Sequence, residues 1–364
     1  MNFQVLVSDN ADQSKWHQAL KQNESSMTYQ TVNWQRMFFE VYGSKPFFIT
    51  VLDSNSKIVG QLAGVIHKKW FWRDANIFSR ILGNQLGLGI LIHWFYGPII
   101  HDKLNQDEII SKILSSVEEI AEKNNVVMIR GISPPLETDL SHTSFQNHSY
   151  ELKTGATFII DLRQGLDNLY NSLKKDVRYY IRKAEKLDLT FEVVTDRKAL
   201  DEFKNLKIKT LKQEGGRRVI NNPTFFDKHW VILHNEGFEQ LLVARKGTKH
   251  LGSILTLIFN NNVIQHALTN DSEIELIGTF LTWNTIKWAM ENNYHTFDFA
   301  GVNPNPQTPK EKGIYFYASK WGGKIYEYTI YTKIVNKLKF NLSTGLKNPS
   351  KISQIGKMIH FPEI

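Results

Sequence analysis

The sequence predicts an α/β (α+β) protein made of two tandem units, each a mixed sheet flanked by helices, and three observations lead there. Its 364 residues exceed what one hydrophobic core usually serves, so two units are the natural expectation. Its composition, 41% apolar and 22% charged, is that of a globular chain rather than a disordered or fibrous one. Third, one order of elements, hairpin then helix then strand, recurs along the chain.

The hairpins align without gaps at an offset of 192, Val51 to Gly60 (VLDSNSKIVG) on Val243 to Gly252 (VARKGTKHLG), with Val51, Lys57 and Gly60 matched by Val243, Lys249 and Gly252. Each reads as strand, polar turn, strand: Phe47 to Leu52 then Ile58 to Ile66, and Gln240 to Arg245 then Leu251 to Phe259. At an offset of 168, Ala121 to Asn125 (AEKNN) pairs with Ala289 to Asn293 (AMENN). An amphipathic helix precedes each, carrying Ile109, Ile113, Val117 and Ile120 in one copy and Ile277, Leu281 and Trp288 in the other. A strand follows each, Val126 to Ile132 and His295 to Phe299. The change of offset assigns 24 extra residues to the first copy, in the aromatic and glycine-rich stretch between Trp70 and Tyr96. The expected boundaries are 1–156, 157–335 and a basic tail over 336–364.

The 20 uncharged residues from Ile81 to Ile100 are long enough for a membrane helix. Four glycines, Pro98, Asn84, Gln85 and His93 argue against one, and two buried strands joined by a loop are expected instead. The absence of cysteine excludes disulfides, thiolate metal sites and cysteine nucleophiles. No charged start and apolar run of a signal peptide opens the chain, so a cytoplasmic protein is expected.

The net charge of +8 is concentrated. Residues 166–218 carry 14 Lys and Arg against 9 Asp and Glu, and residues 331–364 carry 6 against 1, which is +5 in each. Two basic regions on a near-neutral body suggest polyanionic partners such as RNA, nucleotide diphosphates or anionic lipid heads.

Within the first basic region, Leu166, Leu169, Leu173, Val177, Tyr180, Ile181 and Ala184 form the apolar stripe of an expected helix. Lys174, Arg178, Arg182 and Lys186 recur every four residues on another face. Like charges at that spacing repel by on the order of a few tenths of a kcal/mol per pair. A solvated face is the ordinary explanation of such a run. Partial compensation by Asp176 and Glu185, and the bidentate fit of arginine to phosphate, favour an anion.

Residues 157–186 (TFIIDLRQGLDNLYNSLKKDVRYYIRKAEK), a strand ending in Asp-Leu and a helix with R-x-x-I-R-K-A, resemble the signature of the Fem family of peptidoglycan-bridge aminoacyltransferases (FemAB-like). Gln30 to Trp34 (QTVNW), Tyr96 to Ile100 (YGPII), Asp298 to Gly301 (DFAG) and Gly313 to Gly323 (GIYFYASKWGG) agree in order. The resemblance runs to about residue 330. It implies two fused acetyltransferase-like (GNAT-like) folds and transfer of an amino acid from aminoacyl-tRNA to a peptidoglycan-precursor amine. It further implies that Arg178 contacts the acceptor's diphosphate, and that Trp34 and Arg36 line the precursor site, where Trp34 read by itself is equally a core residue. Arg217, in a Gly-Gly-Arg-Arg loop, is a weaker anion ligand.

The sequence departs from the family at one point. The family's Phe-Lys pair is Tyr317-Ala318 here, and that lysine is held to stabilise charge as the acyl group moves, which alanine cannot do. The Tyr317 hydroxyl is the expected substitute, and Lys320 is the further catalytic candidate, although it would point to the opposite face if the segment is a strand. Asp298, at a predicted strand end, is the expected general base or amine-orienting carboxylate, with a structural loop cap as its ordinary alternative. His93, His229, His234, His266 and His295 show no metal-ligand spacing.

The expected activity is therefore a Fem-type N-acyltransferase on a cell-envelope precursor, with no metal and no tightly bound cofactor. Acyl-CoA is the alternative donor, for a sugar nucleotide or envelope polysaccharide. It is disfavoured because Glu275 and Phe280 flank Gly278 where a pyrophosphate loop would lie, and His101 to Glu108 contains no glycine. A non-catalytic anion- or membrane-binding module is the third reading. tRNA, a diphosphate-bearing or lipid-linked acceptor and weak peripheral contact with the inner face of the membrane are the expected partners of a monomer. Ile352, Ile355 and Ile359 with Lys351 and Lys357, and the stretch Lys68, Lys69, Trp70 and Trp72, supply the membrane contact.

Overall fold

The computed structural model describes residues 3–68, 77–213, 224–271 and 276–347. The chain divides into two compact units, residues 1–154 with 328–364, and residues 155–327. Elements are numbered along the whole chain.

The first unit contains β1 (Gln4–Ser8), α1 (Gln13–Leu20), α2 (Val32–Tyr42), β2 (Lys45–Leu52), β3 (Ile58–His67), α3 (Ile77–Gln85), β4 (Leu91–Trp94), β5 (Ile99–Ile100), α4 (Gln106–Lys123), β6 (Met128–Ile132) and α5 (Thr143–Asn147). The second contains β7 (Glu151–Asp161), α6 (Leu166–Ser172), α7 (Lys175–Ala184), β8 (Thr190–Val194), α8 (Arg197–Gln213), α9 (Phe225–His229), β9 (Glu239–Lys246), β10 (Lys249–Phe259), β11 (Asn262–Asn270), α10 (Ile277–Glu291), β12 (Thr296–Val302) and α11 (Pro309–Ala318). The chain then returns to the first unit through β13 (Lys324–Ile334) and α12 (Lys337–Lys347).

The first unit's strands follow the order β1-β2-β3-β4-β6-β13, with β5 also on β3. The meander β1-β2-β3-β4 is antiparallel, β4 and β6 are parallel, and β13 closes antiparallel on β6. Ile109, Ile110, Ile113, Leu114, Val117 and Ala121 of α4 are fully buried against Ile49, Val51 and Leu62. Each large aliphatic side chain of that stripe contributes roughly 1.5–3 kcal/mol to the unit's core. The second unit runs β7-β12-β11-β10-β9-β8, antiparallel except for β11 with β12.

The duplication extends to details of packing. A Cβ on Gly60 would lie 2.4 Å from Ile109 Cγ2, and one on Gly252 would lie 2.8 Å from Ile277 Cγ2. In each unit the hairpin glycine admits the first turn of the long helix. Asn124 and Asn292 cap those helices, their amides donating to the carbonyls of Ile120 and Trp288 at 2.8 Å. The next residues, Asn125 and Asn293, take the left-handed turn at φ 52° and 59°, a conformation asparagine tolerates better than most residues.

Two sequence expectations need correction. The segment from Ile81 to Ile100 is not two strands alone, because α3 occupies its first residues and β4 and β5 follow. No helix among the described residues is long and apolar enough to cross a membrane. The arginine helix is also not continuous. It breaks at Leu173 and Lys174, whose ψ angles of 146° and 152° are extended, and Leu166 is exposed.

Candidate active site

In the second unit β11 and β12 lie parallel for only three residue pairs, Asn262 with Thr296, Val263 with Phe297 and Ile264 with Asp298. Beyond Ile264 and Asp298 the two strands part. The β12 ladder with β7 is also interrupted between Asp298 and Gly301, where Ala300 has φ 62°. Asp298 thus stands at a fork of the sheet, where backbone ceases to be held by both neighbours.

Its carboxyl is fully buried. Oδ1 accepts the Ala300 N–H at 2.8 Å and touches the Thr157 hydroxyl, while Oδ2 is buried without a hydrogen-bond partner. Burial pushes the pKa up to about 6, against the opposing effect of the Thr157 and Ala300 bonds. The hydroxyl geometry agrees with that direction. Thr157 Oγ1 also lies 2.7 Å from the Ala300 carbonyl oxygen, and one hydroxyl proton cannot serve two acceptors. Thr157 is therefore a poorer donor to the Asp298 carboxylate than a hydroxyl dedicated to it would be, and offsets the burial only in part. A carboxyl that exchanges its proton near pH 6 is suited to general acid–base work.

Tyr317 does not join Asp298. Phe299, the neighbour of Asp298, packs on the opposite face of β12 in the cluster containing Trp283, Val177 and Trp321, and Tyr317 packs against that cluster. Its hydroxyl bonds Thr282 Oγ1 of α10 at 2.5 Å, and burial pushes the phenol up to about 12. The segment that holds it is the helix α11, not a strand. Thr308 and Glu311 cap it reciprocally, with Pro309 in the first turn. Lys320 therefore does not alternate with Tyr317 across a sheet.

Lys320 instead joins the basic residues of α7. Its Nζ lies 3.3 Å from Asp176 Oδ2, and its carbonyl accepts the Lys174 N–H at 3.1 Å. Arg178 reaches the Asn171 carbonyl at 3.3 Å and Arg182 the Tyr170 hydroxyl at 3.5 Å, both weak contacts that leave guanidinium donors for solvent or ligand. Lys174, outside the helix at its N-cap, is exposed. The regular basic stripe is thus reduced to Arg178 and Arg182 on the helix, with Lys174 and Lys320 at its start.

In the first unit Trp34 is only 1% exposed, edge-on to Tyr29 at 4.8 Å and to Phe38 at 5.5 Å. That is core packing, and it leaves no face of the indole to line a site. Arg36 is exposed on α2. Arg217, Lys69, Trp70, Trp72 and the tail isoleucines lie outside the described residues. Phe280 is buried in the apolar cluster with Ile277 and Leu281. Among the described residues, no group of three or more His, Asp or Glu side chains is placed to hold a metal ion.

Sequence reasoning did not single out Thr157, Thr282 or the Asp176–Lys320 pair. Thr157 was legible in principle, since it opens the signature strand and precedes a run of apolar residues; the other two arise from contacts between distant segments.

Residues 171–308 match the Acetyltransferase (GNAT) domain, a span that includes α7, the forked strands and Asp298. No curated protein matches the chain in sequence. Among solved structures it is similar to FemX at 15% identity and a TM-score of 0.74, over 94% of this chain and 99% of that one. A tandem GNAT protein from the clavulanic acid biosynthesis pathway follows at 11% identity and 0.57, over 91% and 98%. So does a C-terminal domain assigned to a lysylphosphatidylglycerol synthetase from Agrobacterium fabrum, at 13% identity and 0.56, over 93% and 96%. The chain has the fold seen in FemX, two fused GNAT-type units, and by the acetyltransferase domain it carries it is an acyltransferase.

Proposed function

We propose that this N-acyltransferase takes an aminoacyl group from aminoacyl-tRNA and places it on an amine of a cell-envelope precursor. The observation that carries the reading is the buried Asp298 carboxyl, pushed up to about 6 by its burial, at the fork of β11 and β12 inside the matched domain. An aminoacyl ester is already activated, so the protein has to orient a neutral amine, accept its proton and stabilise the oxyanion. Asp298 Oδ2 is the acceptor for that proton. Arg178, Arg182, Lys174 and Lys320 bind the phosphates of the acceptor or of the tRNA. The acceptor is diphosphate-bearing or lipid-linked. The likeness to FemX supports this choice of chemistry, as does the Agrobacterium protein, whose name joins lysine to an envelope lipid.

The forked strands and the matched acetyltransferase domain equally suit acyl-CoA, which is the second reading. Mass spectrometry of purified protein with charged tRNA, acyl-CoA and cell extract separates the two. Loss of the aminoacyl ester with a matching mass gain on an amine supports the proposal; consumption of acyl-CoA alone overturns its donor.

A further inference from the structure

The basic C-terminal region and the segment following the Trp70 stretch, far apart in sequence, meet in the first unit, because α12 packs on α3. The inward face of α12 buries Phe340 and Ser343. Its outward face carries Leu338, 71% exposed, and Leu342, 50% exposed, one turn apart. Ile81 on α3 and Leu86 just beyond it are each 53% exposed. Four large aliphatic side chains on two adjoining helical segments are more than the scattered apolar residues of an ordinary surface.

The two helices carry basic residues and no acidic one, α3 reading IFSRILGNQ and α12 KLKFNLSTGLK. Lys337 is exposed beside Leu338, and Lys339 follows. Lysine stems reaching past an apolar strip to a charged rim are the composition of a segment lying in the headgroup layer of an anionic bilayer. A second protein copy would bring the same positive charge against itself, which disfavours a symmetric dimer on this face.

We infer that the α3–α12 face docks on an anionic membrane surface, inserting Leu338, Leu342, Ile81 and Leu86 among headgroups while Lys337 and Lys339 engage lipid phosphates. This goes beyond the acyltransferase reading and does not depend on its donor. A membrane-docked enzyme would be brought to a lipid-linked acceptor, where a soluble acceptor would make docking useless.

The full chain is to be sedimented with vesicles of phosphatidylcholine alone, or with about 30% phosphatidylglycerol, at about 50 mM and about 500 mM salt. Binding to the anionic vesicles at low salt is expected, with at least a tenfold loss in Leu338→Ser/Leu342→Ser, since two aliphatic side chains leave the bilayer. Lys337→Gln/Lys339→Gln should weaken binding by about fivefold per lysine. Circular dichroism confirms the fold of each variant. No binding to anionic vesicles, or equal binding by the folded Leu338→Ser/Leu342→Ser protein, overturns the inference. A concentration-dependent doubling of mass in solution, abolished by the leucine substitutions, would reassign the face to self-association. No acyl transfer is read, so failure here leaves the proposed function standing, and its failure leaves this result standing.

Discussion

Asp298→Asn separates catalysis from folding because its two expected effects have opposite signs. The carboxyl titrates near 3.8 when solvated and at about 6 when folded, since burial disfavours its charge. The folded state therefore holds the proton more tightly. This contribution to stability is fully present below the unfolded value, falls as pH rises from about 4 to about 6, and stays lost above that. A shift of that size corresponds to about 3 kcal/mol for a fully buried group. Asparagine keeps an acceptor for the Ala300 N–H but has no charge to desolvate, so it removes the dependence. Its buried NH2 would lie where Oδ2 has no partner, a constant cost of about 1–3 kcal/mol that cancels when two pH values are compared. Urea unfolding at pH 4.5 and 7.5 should show the wild type losing about 2 kcal/mol more than the variant between them, the rest of the contribution being already lost at the lower pH. Transfer activity should rise in the wild type through an apparent pKa near 6 and fall about 10²- to 10⁴-fold in the variant. Parallel loss of stability in both proteins, with activity retained in Asp298→Asn, would refute the argument and leave the carboxyl a loop cap.

Arg178→Ala should weaken binding of a nucleoside-diphosphate sugar by about tenfold or more, with less than about 1 kcal/mol lost in stability, because its protein contact is one 3.3 Å bond. Unchanged affinity in a calorimetric titration would remove it from the site. Tyr317→Phe leaves the Thr282 hydroxyl without its partner and should cost about 1 kcal/mol, with transfer within a few-fold of wild type. A 10- to 1000-fold loss of rate would instead restore the hydroxyl as an oxyanion donor. Gly252→Ala, whose methyl would meet Ile277 Cγ2 at 2.8 Å, should lose about 1–3 kcal/mol in thermal unfolding.

The parts of this molecule that sequence revealed are those whose cause is local. The paired Asn-Asn turns and hairpin glycines exposed the duplication because left-handed backbone and close helix approach restrict residue type at the position itself. The break between α6 and α7 was hidden because its cause is distant. The Lys174 N–H is taken by the Lys320 carbonyl, and Gly322 fits against Ser172, where a Cβ would come within 2.1 Å of Oγ. No proline or glycine marks that break, so apolar periodicity ran through it. The α11 segment was left open between strand and helix, although Thr308, Pro309 and Glu311 spell a helix start. Trp34 shows the limit of a motif, since matching a family segment in sequence does not say which way an indole points.

The central claim is that the forked strands around Asp298 carry acyl transfer from an aminoacyl ester. It is tested most directly by offering the purified chain aminoacyl-tRNA and acyl-CoA with different isotopic labels, together with envelope precursors, and following which label enters an alkali-stable amide. The account predicts the amino-acid label in the product of the wild type and its near absence with Asp298→Asn. Entry of the acyl-CoA label alone would contradict the proposed donor, and equal product from the variant would contradict the proposed site.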